Sequence, residues 1–201
     1  SDLNFDFYPM VNFSFATTLT PSAKTGSGVN FTLSSGSYTW VDASFPNGHI
    51  GMKVRINAGL AEITSVTSGT VAVATINEDL ADTVAATGNE WELTAFSNFD
   101  STIGGGYPRS ISFHQNRLIF GGSRDKPQTI FASQSGDFFN FKPTTRVVSG
   151  SDTTGEVTDD AGFVFTIASD ELNIIKHLVS QQALFIFTTD GEFDMSGEPV
   201  T

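Results

Sequence analysis

The sequence predicts an all-β protein, with a small β-barrel or sandwich domain followed by propeller-like antiparallel blades. Its aromatic residues are mostly Phe, with 19 Phe against two Trp and three Tyr, and aromatic and β-branched residues favour pleated sheets. Apolar and polar residues alternate over short runs, which is typical of half-buried strands. The 19 Gly supply turns between these runs.

Residues 1–28 are predicted to form an N-terminal strand and a linker. Apolar residues alternate from Leu3 to Phe15 around Pro9, which indicates a strand bent at a proline. Thr17 to Gly28 is rich in Thr, Ser and Gly, which favours a linker. Because the chain begins at Ser1 without an initiator Met, we expect a trimmed product or part of a longer protein.

Residues 29–96 are predicted to form a small all-β domain of a size that can fold alone. About six short strands are separated by Gly, Asn and Ser turns such as Pro46-Asn47-Gly48 and Asn57-Ala58-Gly59. The segment from Glu78 to Ala86 leaves two possibilities open, a helical turn or an irregular connection, because its β-branched residues disfavour a helix.

Residues 97–201 are predicted to form a propeller-like β platform that is incomplete. Ser and apolar residues alternate from Ser110 to Phe113, polar residues follow to Asn116, and alternation resumes from Leu118 to Phe120 before two Gly. This pattern predicts a hairpin of two half-buried strands whose apolar side chains face a core. Residues 128–133 predict a third strand, and residues 135–137 a turn that leads into an aromatic cluster.

An internal repeat supports successive blades. Val179 to Ile186 can be laid over Phe113 to Phe120, apolar on apolar and polar turn on polar turn. Asp190 to Phe193 echoes Gly136 to Phe139. Repeated strand, turn and strand units are typical of propellers and related arrays. A long polar loop, Lys142 to Asp160, separates the two copies.

Composition excludes several functional classes. With 22 acidic and 10 basic residues the net charge is −12, which argues against a sequence-independent nucleic-acid binder. The chain has no Cys, so disulfides and thiolate metal sites are excluded. No apolar run approaches the roughly 18 residues of a membrane helix.

The candidate metal and catalytic groups have simpler structural interpretations. Each of the three His lacks a second ligand at metal spacing, and we expect no cofactor and no metal. Gly104-Gly105-Gly106 lacks the lysine of a phosphate loop and is interpreted as a hinge. An acidic loop allows a calcium site but favours a solvated loop. The residues concerned are His49, His114 and His177, and in the loop Asp152, Glu156, Asp159 and Asp160.

Two arginines flank the predicted hairpin. We expect Arg109 and Arg117 to pair with Asp137 or other acids at a buried edge, fixing one blade against another. Asp137 and Glu192 could also be imagined as a glycosidase carboxylate pair. Their equivalent positions in the repeat favour turn residues instead.

Four motifs follow one another in a fixed order over about 40 residues. They are Gly106-Tyr107-Pro108-Arg109-Ser110, Phe113-His114-Gln115-Asn116-Arg117-Leu118-Ile119-Phe120-Gly121-Gly122, Pro127-Gln128-Thr129-Ile130-Phe131-Ala132-Ser133 and Gly136-Asp137-Phe138-Phe139-Asn140-Phe141. The combination resembles the tail nozzle proteins, also called tail tubular protein B, of short-tailed bacteriophages. Val29 to Leu93 is similar to a small β domain that precedes these motifs in some members of that family.

The resemblance implies a structural, non-enzymatic subunit in the virion tail. It implies a hexameric homo-oligomeric ring below the tail adaptor or connector, which carries fibres or spikes and forms the distal DNA channel. DNA would pass through without specific binding. The implied structural blade motif consists of Tyr107, Pro108, Arg109, Gln115, Arg117, Leu118, Phe120, Pro127, Gln128, Gly136, Asp137, Phe138, Phe139 and Phe141.

Two other functional classes remain open from the sequence. In a carbohydrate- or receptor-binding tail module, exposed aromatics such as Tyr38, Trp40 and Phe139 would stack on sugars. In a tail-associated hydrolase, Asp137 or Glu192 would act as a catalytic acid. Strict alternation of aromatics along strands favours cores over binding faces, and therefore the structural interpretation.

Overall fold

A computed structural model describes residues 5, 7–12, 16–34, 38–88, 90–97, 106–143, 145–149, 152–156, 158–168 and 171–196, with only the backbone described for 145–149 and 152–156. The described residues form antiparallel sheets and no helix, which confirms the predicted all-β class. Within those ranges, accordingly, no helix is long and apolar enough to cross a membrane.

The chain divides into two compact units. One comprises Met10–Gly106 and is called the 10–106 unit. The other comprises Tyr107–Thr201 together with the described part of Ser1–Pro9, and is called the 107–201 unit.

The 10–106 unit contains one sheet of seven strands in the order β1-β7-β4-β5-β6-β3-β2. All its ladders are antiparallel. The strands are β1 (Met10–Val11), β2 (Leu19–Pro21), β3 (Val29–Leu33), β4 (Lys53–Ile56), β5 (Gly59–Ser68), β6 (Val71–Glu78) and β7 (Trp91–Thr94).

This sheet curls around a single apolar core. Alternate residues of its strands are buried, as in β3, where Val29, Phe31 and Leu33 face inward. Trp91 near one edge donates its indole N–H to the carbonyl of Thr17 near the other edge, at 3.0 Å. The two edges therefore approach each other, but no ladder joins β1 to β2 among the described residues, so the sheet is not a closed barrel there.

The 107–201 unit contains a four-stranded sheet, a two-stranded ribbon and a three-stranded sheet, in the orders β13-β10-β9-β8, β11-β12 and β14-β15-β16. The four-stranded sheet is built from β8 (Ser110–His114), β9 (Arg117–Gly121), β10 (Thr129–Ala132) and β13 (Phe163–Thr166). The others are β11 (Thr145–Ser149), β12 (Asp152–Glu156), β14 (Ile175–Ser180), β15 (Leu184–Thr188) and β16 (Glu192–Met195).

The predicted hairpin and third strand are confirmed as β8, β9 and β10. Gln115 and Asn116 make the turn with φ of 46° and 58°, the pair of positive values that joins two twisted strands in a tight hairpin. The apolar face is the opposite of the one predicted, however. Ile111 and Phe113 are each 59% exposed, whereas the Ser and His face of β8 packs on β14.

The four-stranded and three-stranded sheets enclose a shared core. Ile119, Ile130 and Ala132 from one sheet meet Leu178 and Ile186 from the other. His114 and Ser180, the last strand residues before the two turns that the repeat aligns, meet each other, with His114 Nδ1 2.9 Å from Ser180 Oγ. The described residues contain no propeller.

Four local expectations differ from the structure. The predicted long polar loop from Lys142 to Asp160 contains the β11–β12 ribbon. Leu19–Pro21, inside the predicted linker, forms β2 because Leu19 is buried and exchanges backbone hydrogen bonds with Ala86 at 2.9 Å. The segment from Glu78 to Ala86 has no helical turn. The second echo of the repeat fails, because Glu192–Met195 is a strand whereas residues 136–139 form turns.

Candidate structural site around Arg117

Arg117 is a charged residue in a buried position of the 107–201 unit, where it is only 4% exposed. Its guanidinium therefore needs hydrogen-bond acceptors inside the fold. The tight turn after β8 places Arg117 at the start of β9 with its side chain inside the fold. Nη1 donates to the carbonyl oxygens of Ser133 at 2.7 Å and Ala161 at 2.6 Å. Nη1 also lies 3.3 Å from the carbonyl of Asp160, and Nη2 donates to the carbonyl of Asp159.

Arg117 therefore joins three parts of the chain through main-chain carbonyls. Ser133 follows β10, and the segment from Asp159 to Ala161 leads into β13. The guanidinium carbon also lies 5.6 Å from the ring centre of Phe163 in β13, a cation–π contact. Burial lowers the pKa of Arg117 from its usual value, and the charge of Asp160 opposes that effect. An arginine in this position remains protonated.

The predicted pairing of either arginine with Asp137 is not found. The ion pairs among the described residues are Lys53–Glu62, Arg55–Glu92 and Arg124–Asp125. Arg117 instead finds carbonyl oxygens because a loop and a strand end converge on it. Arg109 is exposed, and its backbone N–H donates to the carbonyls of Gly121 and Gly122 at 3.1 and 2.8 Å.

The aromatic residues of the predicted motif form a layer over the opposite face of the four-stranded sheet. Phe120 stacks on Phe141 with ring centres 5.4 Å apart. Phe5 lies 5.8 Å from Phe139 and from Phe141. Phe7 exchanges backbone hydrogen bonds with Phe139 and Phe141 at 3.3 and 3.0 Å. An N-terminal segment distant in sequence thus completes this layer.

The Gly136-Asp137 turn is held against the tip of the hairpin. Gly136 has a φ of 79°, a conformation that favours glycine. Its N–H donates to the carbonyl of Asn116 at 2.8 Å. Asp137 closes the turn with its backbone N–H on the carbonyl of Gln134 at 3.3 Å. The next residue, Phe138, meets exposed Phe113 edge to face at 5.1 Å.

The remaining motif residues lie at the two ends of the sheet. Leu118 is buried in β9, whereas Gln115 occupies the exposed turn. Pro127 accepts the N–H of Ile175 at 3.0 Å, and the side chain of Gln128 donates to the carbonyl of Glu171 at 3.2 Å. Tyr107 is exposed and Pro108 is half-buried. The exposed motif residues are Tyr107, Arg109, Gln115 and Gly136, and the others are buried or half-buried.

Sequence reasoning missed a second polar cluster, in the core of the 10–106 unit. His49 is fully buried, with Nε2 2.9 Å from the hydroxyl of Tyr38 and Nδ1 accepting the N–H of Val41 at 2.8 Å. Trp40 and Trp91 pack around this pair. Burial lowers the pKa of His49 to about 4 and raises that of the Tyr38 hydroxyl. An isolated His in a Gly-rich turn carries no signal that would reveal such a partner.

The described residues hold no group of three or more His, Asp or Glu that could bind a metal ion. Asp159 and Asp160 of the acidic loop are exposed, whereas the side chains of Asp152 and Glu156 lie outside the described residues. A hydrogen bond from Thr158 lowers the pKa of the Asp160 carboxyl, with smaller effects from the backbone and from Arg117.

The geometry of these sites is suited to holding chain segments together. Arg117 binds carbonyl groups of its own chain, and the motif aromatics pack on one another. Neither a protein-family model nor a curated protein sequence gives a significant match to the chain.

Proposed function

We propose that the chain is a non-enzymatic structural subunit of a short-tailed bacteriophage tail nozzle. The observation that supports it most directly is the use of the motif residues. Four of them make contacts within the 107–201 unit, namely Arg117, Phe120, Phe139 and Phe141. A protein whose conspicuous residues secure its own fold is suited to bearing load in an assembly.

The net charge supports passage of DNA without binding. Each phosphate that a protein neutralises with Lys or Arg adds binding free energy. A chain with a formal charge of −12 would repel a polyanion that moves through a channel. A nozzle must release DNA quickly, so this charge suits the proposed role.

The partners follow from the proposed role. The subunit would form a hexameric ring, contact the tail adaptor or connector on one side, and carry fibres or spikes in the virion tail. A propeller-like platform stays a prediction for the complete assembly. It would require sheets beyond the described four-stranded and three-stranded sheets and the β11–β12 ribbon.

The carbohydrate-binding alternative loses its proposed aromatic platform. That alternative requires exposed Tyr38 and Trp40, and both are buried in the core of the 10–106 unit. Phe139 packs on Phe5. The hydrolase alternative would rely on Asp137, which lies in a tight turn, and on Glu192, which lies in β16 opposite Phe187.

Electron microscopy of the full-length protein mixed with purified connector complexes tests the proposal. We expect a ring around the distal end of the channel. A protein that stays monomeric and does not join the connector would overturn it. Turnover of a host polysaccharide that is lost in Asp137→Asn would instead establish the hydrolase.

A further inference from the structure

The two outer strands of the four-stranded sheet carry exposed apolar side chains, which is unusual for edge strands. Edge strands are normally protected by charges or prolines. In β8, Ile111 and Phe113 are each 59% exposed, and in β13, Val164 and Phe165 are 47% and 48% exposed. These four are almost half of the large exposed hydrophobic residues in the described chain. Apolar exposure concentrated at opposite edges of one sheet indicates an interaction surface.

Among the described residues, no strand pairs with the outer side of β8. In β9, the carbonyl of Leu118 accepts the N–H of Ser133 at 2.9 Å and the N–H of Leu118 donates to Ser133 Oγ at 3.0 Å, both toward β10. Its neighbours Arg117 and Ile119 therefore bond toward β8, to His114 and Ser112. The N–H and C=O groups of Ile111 and Phe113 consequently point away from the sheet, where no described strand pairs with them.

The same reasoning applies to β13 at the other edge. Ile167 donates its N–H to the carbonyl of Gln128 at 3.0 Å, so residues 163, 165 and 167 bond toward β10. The backbone groups of Val164 and Thr166 therefore point outward. Each edge thus offers two outward-pointing residues at alternate positions.

The two edges match in direction. Successive strands in the order β8, β9, β10 and β13 are antiparallel, so β8 and β13 run in opposite directions. A second copy placed beside the first in the same orientation brings its β13 next to β8 as an antiparallel neighbour. In the register that uses all four outward-pointing residues, Phe113 lies opposite Val164 of the partner subunit, and Ile111 opposite Thr166 of the partner subunit.

Charge also permits this contact. Two copies of a chain with net charge −12 repel each other wherever acidic residues meet. Residues 161–168 contain no charged residue, and Arg109 is the only formally charged residue between Tyr107 and His114. Both edges are therefore free of acid, and their single formal charge is the cation of Arg109.

We propose that β8 of one copy pairs with β13 of the next, so that the four-stranded sheet continues from subunit to subunit. The contact is heterologous, the type that generates rings when the rotation closes. The inference rests on the proposed function for the closed ring, and the edge pairing itself is argued from the strands alone.

Mixing two edge variants tests the pairing. Phe113→Lys disables β8 and leaves β13 intact, whereas Val164→Lys does the opposite. We expect each variant alone to be monomeric in analytical ultracentrifugation and their equimolar mixture to form one-to-one dimers. Phe185→Lys, at a position 36% exposed in the central strand β15, should assemble like the wild type. Circular dichroism and thermal unfolding check that every variant is folded.

The outcomes separate this inference from the proposed function. If Val164→Lys assembles normally and Phe113→Lys does not, β8 pairs with itself and the heterologous contact is wrong. Normal assembly of both variants, or a mixture that stays monomeric, also overturns it. If the Phe113→Lys monomer still binds purified connector complexes, the proposed function survives any of these results.

A disulfide cross-link tests the pairing directly, without placing a charge at either edge. The chain has no Cys, so a Phe113→Cys, Val164→Cys double variant introduces only two thiols. The two positions are separated within one copy by three strand spacings, about 14 Å, well beyond the reach of a disulfide. Mild oxidation should therefore yield covalent ladders of copies, and the Phe113→Cys, Phe185→Cys control should yield none. A double variant that stays uncross-linked while assembled would overturn the pairing.

Discussion

The hydroxyl of Tyr38 lies 2.9 Å from Nε2 of His49 in the core of the 10–106 unit. Because Nδ1 of His49 accepts the N–H of Val41, Nε2 carries the proton and donates it to the Tyr38 hydroxyl. The buried imidazole is therefore neutral, and its protonation would break the contact with Val41.

Acidification should destabilise the protein through His49. Its pKa is about 4 in the fold against an ordinary 6.5, so the unfolded chain binds the proton first as pH falls. Stability from this group is complete above pH 6.5 and is lost as pH falls through 4, by about 3 kcal/mol. Urea unfolding at pH 7 and pH 4 measures the loss. In His49→Phe the loss should be smaller by that amount, and an unchanged loss would contradict the assignment.

Removing the Arg117 guanidinium should strongly destabilise the 107–201 unit. Arg117→Met leaves buried carbonyls of Ser133 and Ala161 without their donor, which costs about 3–5 kcal/mol. Arg117→Lys keeps the charge but not the fork of donors, so we expect only partial recovery. Equilibrium unfolding measures both. Exposed Arg109→Met is the matched control and should change stability by less than about 0.5 kcal/mol.

Gly162 should tolerate no side chain. A Cβ there would lie 2.8 Å from the carbonyl carbon of Phe141 and 3.0 Å from the carbonyl oxygen of Ala132, both backbone atoms that cannot move independently. Gly162→Ala should therefore lower the thermal unfolding midpoint by several degrees, since overpacking costs about 1–3 kcal/mol. At Gly191 the nearest atom would be 3.8 Å away, at the edge of the Phe193 ring. Gly191→Ala should leave the midpoint nearly unchanged, and equal effects would contradict the packing.

Truncating Phe141 should open the aromatic layer. Its ring stacks on Phe120 and contacts Phe5, so Phe141→Ala removes a buried ring at a cost of about 3–5 kcal/mol. Phe185→Ala, on a half-exposed strand position, should cost far less. Chemical unfolding monitored by circular dichroism compares them. A stability loss in Phe141→Ala no larger than that in Phe185→Ala would show that the aromatic layer contributes little to the free energy of unfolding.

The hairpin of β8 and β9 shows what the sequence could and could not predict. Alternation located both strands and the turn, because period two defines the faces of a strand. It did not show which face is buried. Ser110 and His114 face the core because β14 needs their side chains: Ser110 Oγ accepts the N–H of Leu178 at 2.8 Å, and His114 meets Ser180.

Long-range partners limited the prediction of the sites. Arg117 was interpreted as a structural residue, but its carbonyl partners lie up to 44 positions away. Such contacts depend on how the residues after the β11–β12 ribbon fold back. The sequence showed only that His49 lacks a second ligand at metal spacing, and nothing in it linked His49 to its partner Tyr38, 11 positions away.

The span between Arg117 and Ala161 orders events during translation. Arg117 leaves the ribosome 44 residues of synthesis before Ala161 does, an interval of about 2–9 s at 5–20 residues per second. Throughout that interval the guanidinium has no enclosed site and must stay hydrated. The hairpin can form early, but the Arg117 guanidinium cannot be enclosed until the residues up to Ala161 have left the ribosome. A pause in translation within that loop would prolong the exposure of the nascent sheet to chaperones and to other chains.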